Sequence, residues 1–247
     1  MKENYIYGRN PVIEVLKSGG DIDKIYMLKG ADEGSIKKIL SMAKEAGVVV
    51  TRVDERKLSD MAGHVNHQGV VAMVTDFEYS TIDEILDYAK EKEEEPFVLI
   101  LDSIEDTHNL GAIIRTAEAS GVHGVIIPKR RSAMVNDTVY KTSAGAVEYM
   151  KVARVTNIAR AIEELQEKGL WIYGADMEGR EVYYDANLTG NIGLVIGGED
   201  KGISPLIGKK CDVLVKIPMV GKVSSLNASV SAAILIYEII RQRNKKI

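Results

Sequence analysis

Five short apolar runs in the second half of the chain set the first constraint on its fold: FVLILD (97–102), VIIP (125–128), LWIYGA (170–175), IGLVIGGE (192–199) and VLVKIPM (213–219). Runs that are apolar at successive rather than alternate positions fit strands covered on both faces. Stretches of helical period separate most of them, so this half is expected to form a parallel sheet of the α/β class. Ligands of such sheets bind beyond the carboxyl ends of the strands. The unusual residues of this half cluster there.

The first half reads as a smaller α/β unit. Residues 10–16 suit a short helix with Pro11 tolerated in its first turn, 22–28 (IDKIYML) a strand, and 35–47 (SIKKILSMAKEAG) a helix ended by Gly47. VVVTRV (48–53) and GVVAMV (69–74) are further strand candidates. Between the halves, residues 78–95 (EYSTIDEILDYAKEKEEE) hold eight acidic side chains against Lys90 and Lys92, the charge block of a solvated segment. Ile82, Ile85, Leu86 and Ala89 recur there at helical spacing, so an acidic surface helix fits as well. The expected division is 1–77, an acidic linker 78–95, and 96–247.

The formal net charge of −4 would disfavour a nucleic-acid partner if it were evenly spread, because phosphate binding depends on neutralising cations. It is not: residues 1–77 balance 11 basic against 11 acidic groups, and 96–247 carry 19 against 17, so the deficit sits in the connecting segment. The single Cys211 excludes an intramolecular disulfide framework and fits a reducing compartment. The opening MKENYIYGRN is polar, and the apolar run 231–240 is short and interrupted by Glu238. A soluble cytoplasmic protein without membrane contact is expected.

Three segments carry chemistry. The first is NLGAIIRTA (109–117), where Asn109 could simply cap a helix and Arg115 decorate its solvated face. The second, Gly197-Gly198-Glu199-Asp200-Lys201-Gly202, follows an apolar strand; its glycines permit close backbone approach and its carboxylate could orient or deprotonate a polar group. An ordinary Gly-rich turn looks the same. The third runs from Ile217-Pro218-Met219 through Gly221 to Ser224-Ser225-Leu226-Asn227-Ala228-Ser229 and opens a long helix. Leu226, Val230, Ala233, Ile234 and Tyr237 are expected to form that helix's core stripe. Capping needs one or two Ser/Asn side chains, not four.

Together, in this order and spacing, the three segments resemble the motifs of the SpoU (TrmH-type) RNA ribose methyltransferases. YGRNPVIEVL (7–16), HQG (67–69), KRRSA (129–133) and KTSAGAVEYMKV (141–152) resemble more narrowly the subgroup that methylates a guanosine of large-subunit ribosomal RNA. The resemblance covers nearly the whole chain. Ala228 departs from it, standing where the family usually has Val.

The resemblance implies that Asn109, Arg115, Glu199, Ser225 and Asn227 line the reaction centre. It implies that Gly197, Ile217 and Leu226, largely through backbone groups, hold S-adenosylmethionine. A C-terminal trefoil knot, a homodimer with the cofactor site beside its interface, and an N-terminal RNA-binding domain are implied too. Arginine stays protonated in nearly any setting, so Arg115 suits a clamp for phosphate and a stabiliser of the developing alkoxide better than a simple base; a phosphate-assisted Arg115, Glu199 and the phosphate itself are the alternatives for the base. Beside such a site, Lys129, Arg130 and Arg131 become candidate RNA contacts, where alone they would read as a solvated loop.

No metal site is expected: His64 and His67 could share a helical face but lack a Cys or carboxylate cluster, and His108 and His123 stand alone. A nicotinamide-dependent oxidoreductase would suit the alternating pattern, but no G-x-G-x-x-G follows any predicted strand. A non-catalytic RNA-binding protein on the same scaffold is the other rival, and a transfer-RNA target is the alternative to ribosomal RNA.

Overall fold

The computed structural model of the chain describes residues 4–18, 22–74, 77–199 and 202–244. Two compact units emerge: residues up to Glu78 together with Met134–Asp137, and Tyr79–Ala133 together with Thr138–Ile247. The first holds β1 (Asn4–Tyr7), α1 (Arg9–Ser18), β2 (Ile22–Leu28), α2 (Ser35–Glu45), β3 (Val49–Val53), α3 (Glu55–Ala62) and β4 (Val70–Val74) in a sheet of order β1-β4-β2-β3. Val12 and Ile13 of α1 and Ile36 and Ile39 of α2 bury against Ile25 and Met27 on one sheet face. Leu58 of α3 covers Val53 and Val71 on the other. Since α3 ends at Ala62, His64 and His67 share no helix; the His67 ring faces Glu55 at 3.2 Å.

The second unit contains α4 (Ile82–Glu91), β5 (Phe97–Asp102), α5 (Thr107–Ala119), β6 (Gly124–Pro128), α6 (Asp137–Thr142, whose first residue groups with the first unit), β7 (Val152–Val155), α7 (Ile158–Glu167), β8 (Trp171–Ala175), β9 (Glu181–Val182), β10 (Ile192–Gly197), α8 (Pro205–Gly208), β11 (Val213–Lys216) and α9 (Ala228–Asn244). Its strands lie in the order β7-β6-β5-β10-β8-β11-β9, every neighbouring pair parallel. Parallel sheets are covered on both faces, and all six residues of β5 are buried. β11 slots between β8 and β9, both earlier in the chain. A Cβ on Gly179 would sit 2.7 Å from the Val215 carbonyl carbon, so the 176–180 turn lies tight against that inserted strand. Simple wound sheets avoid such crossing connections.

Two expectations are corrected. Residues 78–95 are no linker: α4 begins with a Thr81–Glu84 capping box and buries Ile82, Ile85 and Ala89. Ile85 fits because Gly124 has no Cβ, which would stand 2.6 Å from it. The acidic residues occupy the other face, so the helix that the spacing of Ile82, Ile85, Leu86 and Ala89 allowed is amphipathic and belongs to a packed unit. The expected core stripe of α9 is also displaced. Ala228, Ala232, Leu235, Ile236 and Ile239 are buried, while Val230 and Tyr237 are 45% and 53% exposed. A helix apolar on most sides does not reveal from sequence which side the core takes. Its far end is fixed by Arg243, which donates to the carbonyls of Glu95 (2.9 Å), Pro96 (3.0 Å) and Gly190 (2.6 Å) and lies over the Phe97 ring.

Candidate active site

The site lies at the carboxyl ends of β5 and β10, where the sheet rule places it. Asp102, the last residue of β5, accepts hydrogen bonds from Ser204 N–H (2.8 Å) and Ser103 Oγ (3.2 Å), tying this strand end to the loop after β10. Gly197 and Gly202 meet so closely there that a Cβ on Gly197 would lie 2.0 Å from the Gly202 carbonyl carbon. No other residue fits that approach. Asp200 and Lys201 lie outside the described residues.

Helix α5 starts at Asp106, whose carboxylate accepts the N–H groups of His108 (2.6 Å) and Asn109 (3.0 Å). Asn109 is therefore not the cap, and its side chain is released for another role. Its amide donates to Glu199 Oε1 at 2.8 Å. Asn227, just before α9, accepts Ser229 N–H with Oδ1 (2.9 Å) and donates with Nδ2 to Asn109 Oδ1 (3.0 Å) and to Glu199 Oε1. One residue from each of the three segments thus closes a polar triangle. Both amides are used as donor and acceptor, so neither can flip without losing bonds.

A cavity of about 280 Å³ opens beside this triangle. All three residues expected to hold the cofactor, Gly197, Ile217 and Leu226, line it, as do Glu199 and Ser225. Asp176 and Ser231 line it as well and were missed; Ser231 lies two residues past the Ser/Asn cluster on α9, and Asp176 belongs to no segment that stands out by composition. Arg115 is exposed on α5 and has no hydrogen-bond or ion-pair partner among the described residues. No hydrogen bond or ion pair links it to Asn109, Glu199 or Asn227. Of the basic run, Lys129 is half-buried and Arg130 exposed, while Arg131 lines a second cavity together with Asn109 and Glu199. Among the described residues, no three His, Cys, Asp or Glu side chains are grouped to hold a metal ion, and no helix is long and apolar enough to cross a membrane.

The profile of the SpoU rRNA methylase family matches residues 96–237. The chain belongs to that family. A profile described as RNA 2′-O ribose methyltransferase substrate binding matches residues 5–80 of the same SpoU protein. The Bacillus subtilis protein YacO, assigned to TrmH-family tRNA/rRNA methyltransferases, is 47% identical over 98% of this chain and 97% of its own. The structure of the SpoU methyltransferase AviRb from Streptomyces viridochromogenes, in complex with AdoMet, superposes with a TM-score of 0.61 at 25% identity, covering 98% of this chain and 91% of that one. The TrmH/SpoU tRNA modifying enzyme of A. aeolicus is 29% identical with a TM-score of 0.56 over 62% of this chain and 77% of its own.

This SpoU chain is accordingly an S-adenosylmethionine-dependent RNA methyltransferase. The lining of the cavity suits that cofactor. Ile196, Ile217, Met219 and Leu226 offer apolar walls for a heterocycle, and Asp176 and the Ser224–Ser225 pair offer polar partners for a sugar and an amino acid moiety. Gly197, Gly198 and Gly202 leave their backbone groups approachable. Bound there, the cofactor supplies a methyl group already activated on a sulfonium. What remains for the chain is to place the acceptor atom in line and to manage its proton. Positioning of this kind is worth about 7–11 kcal/mol, against about 10² to 10⁴ in rate for a general base.

Proposed function

We propose that this enzyme methylates the ribose 2′-oxygen of a guanosine in large-subunit ribosomal RNA, acting as a homodimer in the cytoplasm. The observation that carries the ribose reading is the Asn109–Glu199–Asn227 triangle, whose Glu199 lines the cofactor cavity. It presents one carboxylate, pinned through Oε1, to a hydroxyl brought beside the cofactor. In this reading Glu199 accepts the hydroxyl's hydrogen bond, Asn109 and Asn227 hold Glu199, and Ser225 lines the approach. Arg115, partnerless among the described residues, clamps the neighbouring phosphate. Residues 1–77 select the RNA, supported by the substrate-binding profile over 5–80.

The exposed apolar side of α9, with Val230 and Tyr237, supports a partner protomer on this face. The ribosomal target rests on the family's own description and on the KRRSA and KTSAGAVEYMKV segments. The test is transfer of labelled methyl to unmodified ribosomal and transfer RNA, followed by digestion to nucleosides and mapping of the labelled position. Label in a 2′-O-methylnucleoside of large-subunit RNA is expected. Label confined to transfer RNA would reassign the substrate, and label on a base would remove the ribose reading.

A further inference from the structure

We propose that Glu105 reads the base of the target nucleotide and that Arg131 anchors its phosphate, in the second cavity beside the cofactor site. The inference rests on the ribose-methylation reading above. This cavity, about 450 Å³, falls in the range of about 300–1,000 Å³ typical of small-ligand sites. Its lining shares Gly198, Glu199 and Gly202 with the cofactor cavity. Among the described residues, Glu199 is therefore the only side chain at the junction. A nucleotide whose ribose meets the cofactor there has its remaining parts in the second cavity.

The polar groups of that cavity are mostly committed. Asp106 caps α5, Asn109 and Glu199 hold each other, and Ser103 donates to Asp102. Glu105 and Arg131 line it, are exposed, and have no hydrogen-bond or ion-pair partner among the described residues. Arg131 (φ 55°) and Ser103 (φ 64°) both hold the left-handed backbone conformation that non-glycine residues adopt at a cost. An arginine fork calls for an anion such as a phosphodiester, and a lone carboxylate calls for paired donors. Guanine alone among the standard bases places two adjacent donors, N1–H and the N2 amino group, on its Watson–Crick edge. Adenine and cytosine set a ring acceptor beside their amino group, and uracil flanks its single N–H with carbonyls. A base turned out of its stack is read on that edge.

The experiment uses the full-length protein, labelled S-adenosylmethionine and large-subunit RNA transcripts. Wild type is expected to place label only in 2′-O-methylguanosine, and Glu105→Gln to lower kcat/KM by about tenfold or more, the scale of one charge-assisted hydrogen bond. Inosine at the mapped position, which lacks the N2 amino group, should cost wild type a similar factor and Glu105→Gln little further. Arg131→Ala should raise KM about tenfold with kcat retained. Both side chains are exposed, and unchanged cofactor affinity verifies that the variants fold. Label in another 2′-O-methylnucleoside, or a Glu105→Gln enzyme that still discriminates against inosine, overturns the base assignment while ribose methylation stands. An unaltered KM in Arg131→Ala overturns the phosphate anchor. Absence of any ribose label removes both proposals with the reading beneath them.

Discussion

The Asn227 amide donates to Asn109 Oδ1 at 3.0 Å across 118 residues of sequence, while its own Oδ1 caps the first turn of α9. The start of the C-terminal helix and the polar centre of the site are therefore set by one side chain. This double use separates stability from activity. Asn227→Ala should cost about 1 kcal/mol through the lost cap and also slow methyl transfer by about 10². Asn227→Ser retains a capping oxygen but no amide, so it should recover the stability and not the rate. Urea unfolding and single-turnover kinetics on the same preparations decide this. A Ser variant that transfers methyl at the wild-type rate would show that the triangle serves folding alone.

Because α4 packs within the second unit, residues 79–247 expressed alone should fold and bind S-adenosylmethionine, with weakened RNA affinity. A piece starting at 96 should be markedly less stable, having lost the buried Ile82, Ile85 and Ala89 and left a groove over Gly124. Calorimetric cofactor binding and thermal unfolding compare the two. Equal stability would return residues 78–95 to the role of a connector.

What the sequence made legible follows from burial. FVLILD coincides with β5 from end to end because a strand buried on both faces leaves a continuous apolar signature. The two-residue β9 and the short β1 and β7 carry no such signature and were not anticipated. The helical spacing of α4 was legible but its packing into the second unit was not, and the nearly uniform apolarity of α9 concealed which side is buried. At the site, the family resemblance named Asn109, Glu199 and Asn227, while by residue type alone Asn109 read as a helix cap, a position that Asp106 holds. Glu105 and Arg131 lie on separate loops, and only the fold shows that they line one cavity.

Lys129, Arg130 and Arg131 changed together to Ala should weaken RNA binding and lower the slope of log affinity against log salt, each lost phosphate contact reducing it by about 0.7–0.9. Cofactor affinity should be unchanged. Titrations at several salt concentrations provide the measurement, and a slope equal to wild type assigns the run to a solvated loop.

His123 gives the fold a dependence on pH. Its ring is buried, Nδ1 accepts Phe97 N–H at 3.0 Å, and Nε2 faces Glu94 at 3.0 Å. Burial lowers its pKa below the ordinary value, outweighing the pull of Glu94 in the other direction. The unfolded chain therefore takes up a proton on falling through about pH 6.5, before the folded one does. This contribution to stability is complete above that pH and is lost as pH falls toward the folded-state pKa. The urea midpoint should drop between pH 7.5 and 5.5, and less so in His123→Gln. Parallel pH profiles for the two proteins would exclude His123 as the source.

Arg115 is the sharpest test of the site, because the fold leaves it exposed and without a partner among the described residues. A side chain in that position contributes little to folding, so Arg115→Ala should change stability by no more than about 0.5 kcal/mol. If it clamps substrate phosphate and stabilises the reacting oxygen, its loss should slow transfer by on the order of 10² or more. Cofactor affinity should stay near wild type, since Gly197, Ile217 and Leu226 line that cavity and Arg115 does not. Arg115→Lys should rescue poorly, because a compact ammonium cannot reproduce a planar fork of donors. Single-turnover rates at saturating cofactor and RNA separate the two roles. Near-normal transfer in Arg115→Ala would take this residue out of the mechanism and leave Glu199 and its two asparagines to account for the chemistry.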